Sequence, residues 1–108
     1  MSIFDERKAS QEAKYTIEQD LEFRIMARRN KLLGEWAAER LRLPSDDIPD
    51  YALAVARADL EQHGAEDVFQ KLRTDFDEAN VNCSDSEIRD RMAELISIAR
   101  TQVLSEKD

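Results

Sequence analysis

The chain has 108 residues, of which 37% are charged, and only two Gly and two Pro. That suffices for one domain with a modest core, leaves little material for β-turns and favours helices with solvated faces. The net charge of -8 speaks against a nucleic-acid binder, and no apolar run approaches a membrane span.

The charge is uneven: residues 1–42 carry nine basic and eight acidic side chains, and residues 43–108 carry seven and sixteen. The front of the chain can therefore meet a partner that the acidic remainder would repel. The opening residues, M-S-I-F-D-E-R-K, have neither the apolar centre of a signal peptide nor the acid-poor composition of a transit peptide. With one cysteine, Cys83, and so no internal disulfide, the reading is a cytoplasmic protein.

Residues 3–19 are polar, with sparse apolar points at Phe4, Ala9, Ala13, Tyr15 and Ile17. Acidic Asp5 and Glu6 precede the basic residues, which suits a helix dipole. The stripe is too thin to hold the segment to a core, and an isolated helix of this length is marginal in water. Composition leaves two readings open for residues 1–19: an arm, disordered or marginally helical alone and ordered by a partner, or a solvated helix extension with no role. Residues 20–108 form the second unit, a helical bundle.

From Asp20 to Arg42 the pattern tightens. Leu21, Ile25, Leu32, Leu33, Trp36, Ala37 and Leu41 recur at helical intervals, and Phe23, Met26 and Ala27 thicken the stripe. The stretch Ala27–Leu41 holds the single Trp and one of the two Gly, behind the basic residues Arg24, Arg28, Arg29 and Lys31. Trp36 can bury more area than any other side chain here, so it is expected at the centre of the core. Gly34 costs about 1 kcal/mol against Ala inside a helix, which implies a close neighbour at its backbone. Pro44 with Ser45 is expected to end the helix.

A second helix is expected to start in Ser45–Asp50, capped by Ser45 or Asp47, and to run to His63 with Gly64 as its stop. Tyr51, Val55, Ala56 and Leu60 form its buried face, and Ala52, Ala54, Ala56 and Ala58 allow close packing. Asp59, beside this face, points either toward Arg28 or Arg29 or to solvent, and spacing leaves both open. A third helix, Glu66 to Ala79, has Val68, Phe69, Leu72 and Phe76 on its face, with Asn80 as a left-handed end. Ser84-Asp85-Ser86-Glu87 is a capping box that opens a fourth helix, with Ile88, Met92, Leu95, Ile96, Ala99 and Val103 turned inward. The fold class is all-α, a small four-helix bundle preceded by a mobile N-terminal arm.

Little in the chain carries chemistry. One histidine, His63, cannot supply paired Glu-x-x-His sites or a zinc site. Two isolated glycines make no phosphate loop. Acidic clusters such as Asp46, Asp47 and Asp50 read as helix starts and solvated faces, and Cys83 as a bystander thiol. No catalytic residue, metal ligand or cofactor is assigned, and the protein is read as no enzyme.

The order Phe4-Asp5-Glu6-Arg7, then Lys14-Tyr15, then A-R-R-N-K-L-L-G-x-W-A-A-E at 27–39, then Asp67-Val68 and Ser84-Asp85, resembles the zeta subunit of alphaproteobacterial F-type ATP synthases. The similarity spans nearly the whole chain, and the Ala27–Glu39 block is its most specific part. The resemblance implies a four-helix bundle whose mobile N-terminal segment inhibits ATP hydrolysis. That segment inserts at a catalytic interface between α and β subunits of the F1 part, near γ, and blocks rotation. Its counterpart here is Ser2–Gln19, with Phe4, Asp5, Glu6, Arg7, Lys8, Lys14 and Tyr15 matching the motif. Arg28, Arg29, Asn30, Leu33, Gly34 and Trp36 match the structural motif. Ser10 stands near where relatives tend to place an aromatic, and Glu35 where an apolar residue often follows the motif glycine. The implied partners are the α, β and γ subunits, with no nucleic acid and no membrane insertion; the free chain is a monomer, and the bound one lies peripheral to the inner membrane. Some relatives bind ADP or ATP weakly, so the alternative reading is a ligand-sensing bundle with a nucleotide groove near Trp36.

Overall fold

The computed structural model describes the backbone of residues 3–62 and 65–106 and the side chains of residues 18–59 and 66–106. Among the described residues the chain is all-α: α1 (Ile3–Arg40), a short 3₁₀ turn (Ser45–Asp47), α2 (Ile48–Gln62), α3 (Ala65–Glu78) and α4 (Asp85–Ser105). The helix α1 is one 38-residue element and passes the expected arm boundary at residue 19 without a break. The expected ends at His63 and Gly64 lie outside the described residues.

Backbone chemistry at the helix ends explains the boundaries. At the end of α1, Arg42 takes the left-handed conformation at φ 60°. Its N–H donates to the Glu39 carbonyl at 3.0 Å, and the Leu43 N–H donates to that of Ala38 at 3.0 Å. This pair of reversed bonds caps the helix before Pro44 is reached, so the helix stops at Arg40 rather than at the proline. The same device ends α3. Asn80 sits at φ 57°, and the Val81 N–H reaches the Phe76 carbonyl at 2.8 Å. The asparagine tolerates this conformation through its short polar side chain; at Arg42 the expected signal, a Gly or Asn, is missing. Neither Ser45 nor Asp47 caps the 3₁₀ turn: Pro44 occupies the N-cap position without a side-chain bond.

The capping box of α4 is complete. Ser84 Oγ accepts from the Glu87 N–H at 3.1 Å, and the Ser84 N–H donates to Glu87 Oε1 at 3.2 Å. Arg40 Nη1 of α1 also reaches Glu87 Oε2 at 3.4 Å. The Ser84 backbone bond first, and then Arg40, hold the Glu87 carboxyl below its ordinary value of 4.5. A depressed carboxylate contributes stability above that value and loses it as pH falls through the folded value. Glu87→Gln keeps the shape but cannot titrate. Its urea midpoint, followed from neutral pH to roughly pH 3, should fall less steeply on the acid side than that of the parent chain.

Both α2 and α4 run antiparallel to α1. Gly34 meets Ala52 and Asn30 meets Asp59, while Arg40 pairs with Glu87 and Glu22 with Arg100. The main core gathers Leu33, Ala37, Val55, Val68, Phe69, Leu72, Phe76, Cys83, Ile88, Met92 and Leu95. A smaller cluster, Ile25, Ala99 and Val103, closes the end nearer the N-terminus, with Leu21 and Leu32 against it. Tyr51 ties α2 to α3 by donating to Asp75 Oδ2 at 2.6 Å. Burial and that bond push the Tyr51 hydroxyl well above the ordinary tyrosine range.

Three expectations about packing are corrected. Trp36 is half-buried and packs on the rim of the core; the fully buried large side chains are Arg29, Phe76, Ile25 and Leu33, among others. Phe23 does not thicken the buried stripe but is 60% exposed, and Ala27 is exposed as well. Close packing of α2 falls at Ala52, which is buried, while Ala54, Ala56 and Ala58 are half-buried.

Candidate functional site

The motif stretch of α1 sits where three helices meet, and its side chains divide the work. Arg29 is 2% exposed despite its charge. Its Nε donates to Asn30 Oδ1 at 2.8 Å, and Asn30 Nδ2 donates in turn to Asp59 Oδ2 on α2 at 3.0 Å. Arg29 Nη1 reaches the Met92 carbonyl of α4 at 3.4 Å. Arg29 Nη2 has no hydrogen-bond partner among the described residues. Burial lowers the Arg29 pKa, and the charge of Asp59 raises it. A guanidinium keeps its proton under these opposing effects, so a fixed positive charge lies in the core with one carboxylate nearby. Asp59, left open between Arg28, Arg29 and solvent by its spacing, thus reaches the Arg29 charge through Asn30.

Arg28, one position earlier, also reaches α4, nearer its C-terminal end. It donates to Gln102 Oε1 at 2.9 Å and to both carboxylate oxygens of Glu106 at 2.6 Å. Arg28 holds the Glu106 carboxyl below the ordinary carboxylate range. The end of α4 is thereby clamped to α1. Arg28, Arg29 and Asn30 together bind α1 to both of its neighbours.

Leu33 is fully buried. Gly34 is where α1 and α2 come closest: a Cβ built on it would lie 2.6 Å from the Ala52 Cα. The glycine is needed because backbone, not a movable side chain, fills that space. Trp36 meets Phe76 edge-on, with ring centroids 5.8 Å apart at 86°. Arg40 and Arg91 lie over the indole at 5.8 and 5.5 Å. Phe76 and these two cations surround the ring that the alternative reading would offer to a nucleotide. An open groove of about 570 Å³ lies beyond it, lined by Glu39–Arg42 and Ala79–Asn82. It is polar, and Arg40 is already engaged there by the Asn82 carbonyl at 3.1 Å.

The arm residues Phe4, Asp5, Glu6, Arg7, Lys8, Lys14 and Tyr15 lie on the helical backbone of α1, and their side chains are outside the described residues. Among the described side chains Glu18, Gln19 and Asp20 are exposed, Leu21 is half-buried and Ile25 is buried. Among the described residues no group of three His, Cys, Asp or Glu side chains is placed to hold a metal. Cys83 is buried, and burial pushes its thiol up, away from the reactive thiolate. Among the described residues no helix is long and apolar enough to cross a membrane.

Sequence reasoning missed two features. The Asn30–Asp59 link carried no local signal, since its partners are 29 positions apart. The exposure of Phe23 and Leu53, at 60% and 50%, ran against their apolar character. Residues 1–102 match the family model described as ATPase inhibitor subunit zeta. No curated protein matches the chain.

Proposed function

The chain belongs to the ATPase inhibitor subunit zeta family, and from this premise we propose that it inhibits without catalysis, by inserting residues 2–19 between an α and a β subunit of F1, near γ. The bundle, residues 20–108, anchors that arm and stays outside. Phe4 and Tyr15 are the apolar anchors, Arg7, Lys8 and Lys14 meet acidic subunit surfaces, and Asp5 and Glu6 start the helix. The arm's apolar stripe is too thin to support it alone, and the ATPase supplies the surface it lacks. The chain reaches the membrane only through the ATP synthase it regulates.

The observation that carries this reading is the continuity of α1. A single helix joins the arm to the body, and along the described side chains Glu18, Gln19 and Asp20 are exposed, Leu21 is half-buried and Ile25 is buried. At about 1.5 Å per residue the part before Leu21 is roughly 27 Å long, enough to enter a cleft while the body remains outside. A rigid joint lets a wedge in the catalytic interface resist rotation. A loose tether would let the arm leave while the body stays bound.

The test is inhibition of ATP hydrolysis by isolated cognate F1, with the full chain and with a chain lacking residues 1–19. Inhibition should disappear in the truncated chain, while circular dichroism and cooperative melting show a folded bundle. Phe4→Ala in the full chain should weaken inhibition about tenfold or more, as for a central aromatic anchor. Full inhibition by the truncated, folded chain would reject the mechanism.

A further inference from the structure

Phe23 is the most exposed large apolar side chain among the described residues, at 60%. A side chain of this kind is normally buried, so its exposure has to be weighed with its surroundings. It lines a shallow groove of about 340 Å³ together with Arg24, Ala27, Arg28, Lys31, Val103 and Glu106. Arg24 and Lys31 are exposed, and neither forms an ion pair among the described side chains. Arg28, between them, is taken up by Glu106. A chain of net charge -8 thus presents one strip that carries an exposed aromatic and two cations without an ion pair among the described side chains, with the Glu106 carboxylate near both.

We propose that Phe23, Arg24, Ala27 and Lys31 form a second docking surface for the inhibited ATPase, and that its occupant is an acidic, partly apolar rim at the mouth of the cleft that takes the arm. This rests on the arm reading above. Two observations select the occupant. The first is position: Phe23 lies four residues, roughly 6 Å, beyond Gln19 on the same unbroken helix. Seating the arm to Gln19 brings Phe23 and Arg24 to the cleft edge without any further movement. The second is charge. Cations beside an apolar side chain match a surface of carboxylates beside an apolar patch, and the acidic remainder of the chain would be repelled by that same surface. The aromatic contributes residence time, and the cations contribute orientation and association rate.

The experiment uses the full-length chain throughout. Affinity for purified cognate F1 is measured at low and physiological salt, alongside inhibition at saturation, for Phe23→Ala, for Arg24→Glu with Lys31→Glu, and for Leu53→Ala. Leu53, 50% exposed on α2, lies outside the Phe23 groove, in a neighbouring one that it shares with Lys31, and is the control for loss of an exposed apolar group. Phe23→Ala should weaken binding about tenfold. The double charge reversal should slow association and flatten its salt dependence, and both should still inhibit fully at saturation because the arm is intact. Leu53→Ala should bind as the parent chain does. Circular dichroism should be unchanged in all three, since every altered side chain is exposed.

Unchanged affinity in the strip variants, beside weakened inhibition by Phe4→Ala, overturns this proposal and leaves the arm reading standing. Unchanged inhibition by Phe4→Ala and by the arm-deleted chain overturns the arm reading, and the strip loses its place at the cleft with it. Strip-dependent sedimentation with phosphatidylglycerol vesicles, or a strip-dependent dimer in analytical ultracentrifugation, at unchanged affinity for F1 assigns the surface to a membrane or a second copy and also overturns the proposal.

Discussion

Phe76→Ala should cost the folded chain about 3–5 kcal/mol, the range for removing a buried phenyl ring from a packed core. Phe76 is fully buried and belongs to the cluster that joins all four helices. Its ring edge supports Trp36 at 5.8 Å, and its carbonyl closes the end of α3 by accepting from Val81. The ring belongs to a cluster that draws on all four helices, so no one helix can move in to fill the space it leaves. A domain of this size has roughly 5–15 kcal/mol in total, and the variant should melt at least roughly 10 °C lower. Thermal melting by circular dichroism gives the loss. Trp36 fluorescence gives the location, since the indole loses its buried neighbour and reports a wetter environment below the transition. Leu104→Ala, at a position 46% exposed, is the comparison and should change stability by no more than about 0.5 kcal/mol. Equal melting temperatures for Phe76→Ala and the parent chain would mean the core is not organised around this ring.

How much of this arrangement is legible in the residues depends on whether the signal is local. The capping box Ser84–Glu87 and the left-handed Asn80 are local chemistry, and both stand where the sequence places them. The faces of α3 and α4 follow from one-sided periodicity, because each buries a single stripe. The long helix α1 is harder to read. It packs against α2 on one side and α4 on another, so its apolar residues spread over a broad arc. An exposed Phe23 inside that arc looks like one more core position. Trp36 was expected at the centre on size alone, yet an indole gains as much at an edge where cations can stack on it.

The functional part divides in the same way. The motif proposed to inhibit is visible as a run of residue types, but the surface proposed to receive it belongs to another protein. The basic motif behind it looks from its charge like a partner surface. The structure turns half of it inward or sideways: Arg29 into the core, Arg28 onto the end of α4. What remains for the proposed partner is the other half, Arg24 and Lys31, which the spacing does not separate from the rest. The buried arginine is costly to desolvate, and its bonds to Asn30 and to the Met92 carbonyl of α4, with the Asn30 bond to Asp59 of α2, fix how α1 is rotated in the bundle. In a protein whose arm and body share one helix, that rotation decides which side of the arm faces a partner.

Gly34→Ala is the second large effect, and its sign is informative because two contributions oppose each other. In a helix interior alanine is favoured over glycine by about 1 kcal/mol, so an open site would gain stability. Here the added Cβ would stand 2.6 Å from the Ala52 Cα, 3.1 Å from its Cβ and 3.4 Å from its carbonyl carbon. The nearest atom is backbone, so no rotamer change relieves the contact, and α1 and α2 must separate. Overpacking of this kind typically costs 1–3 kcal/mol, about enough to outweigh the helix gain, and the parting also strains the Asn30–Asp59 bond four residues along α1. The expected result is a net loss of about 1–2 kcal/mol in urea unfolding. Ala52→Gly in the same chain should restore little of it, because that change removes the atom at 3.1 Å and leaves the one at 2.6 Å. A Gly34→Ala chain more stable than its parent would place the two helices farther apart than this contact requires, and rescue by Ala52→Gly would move the critical contact from backbone to side chain.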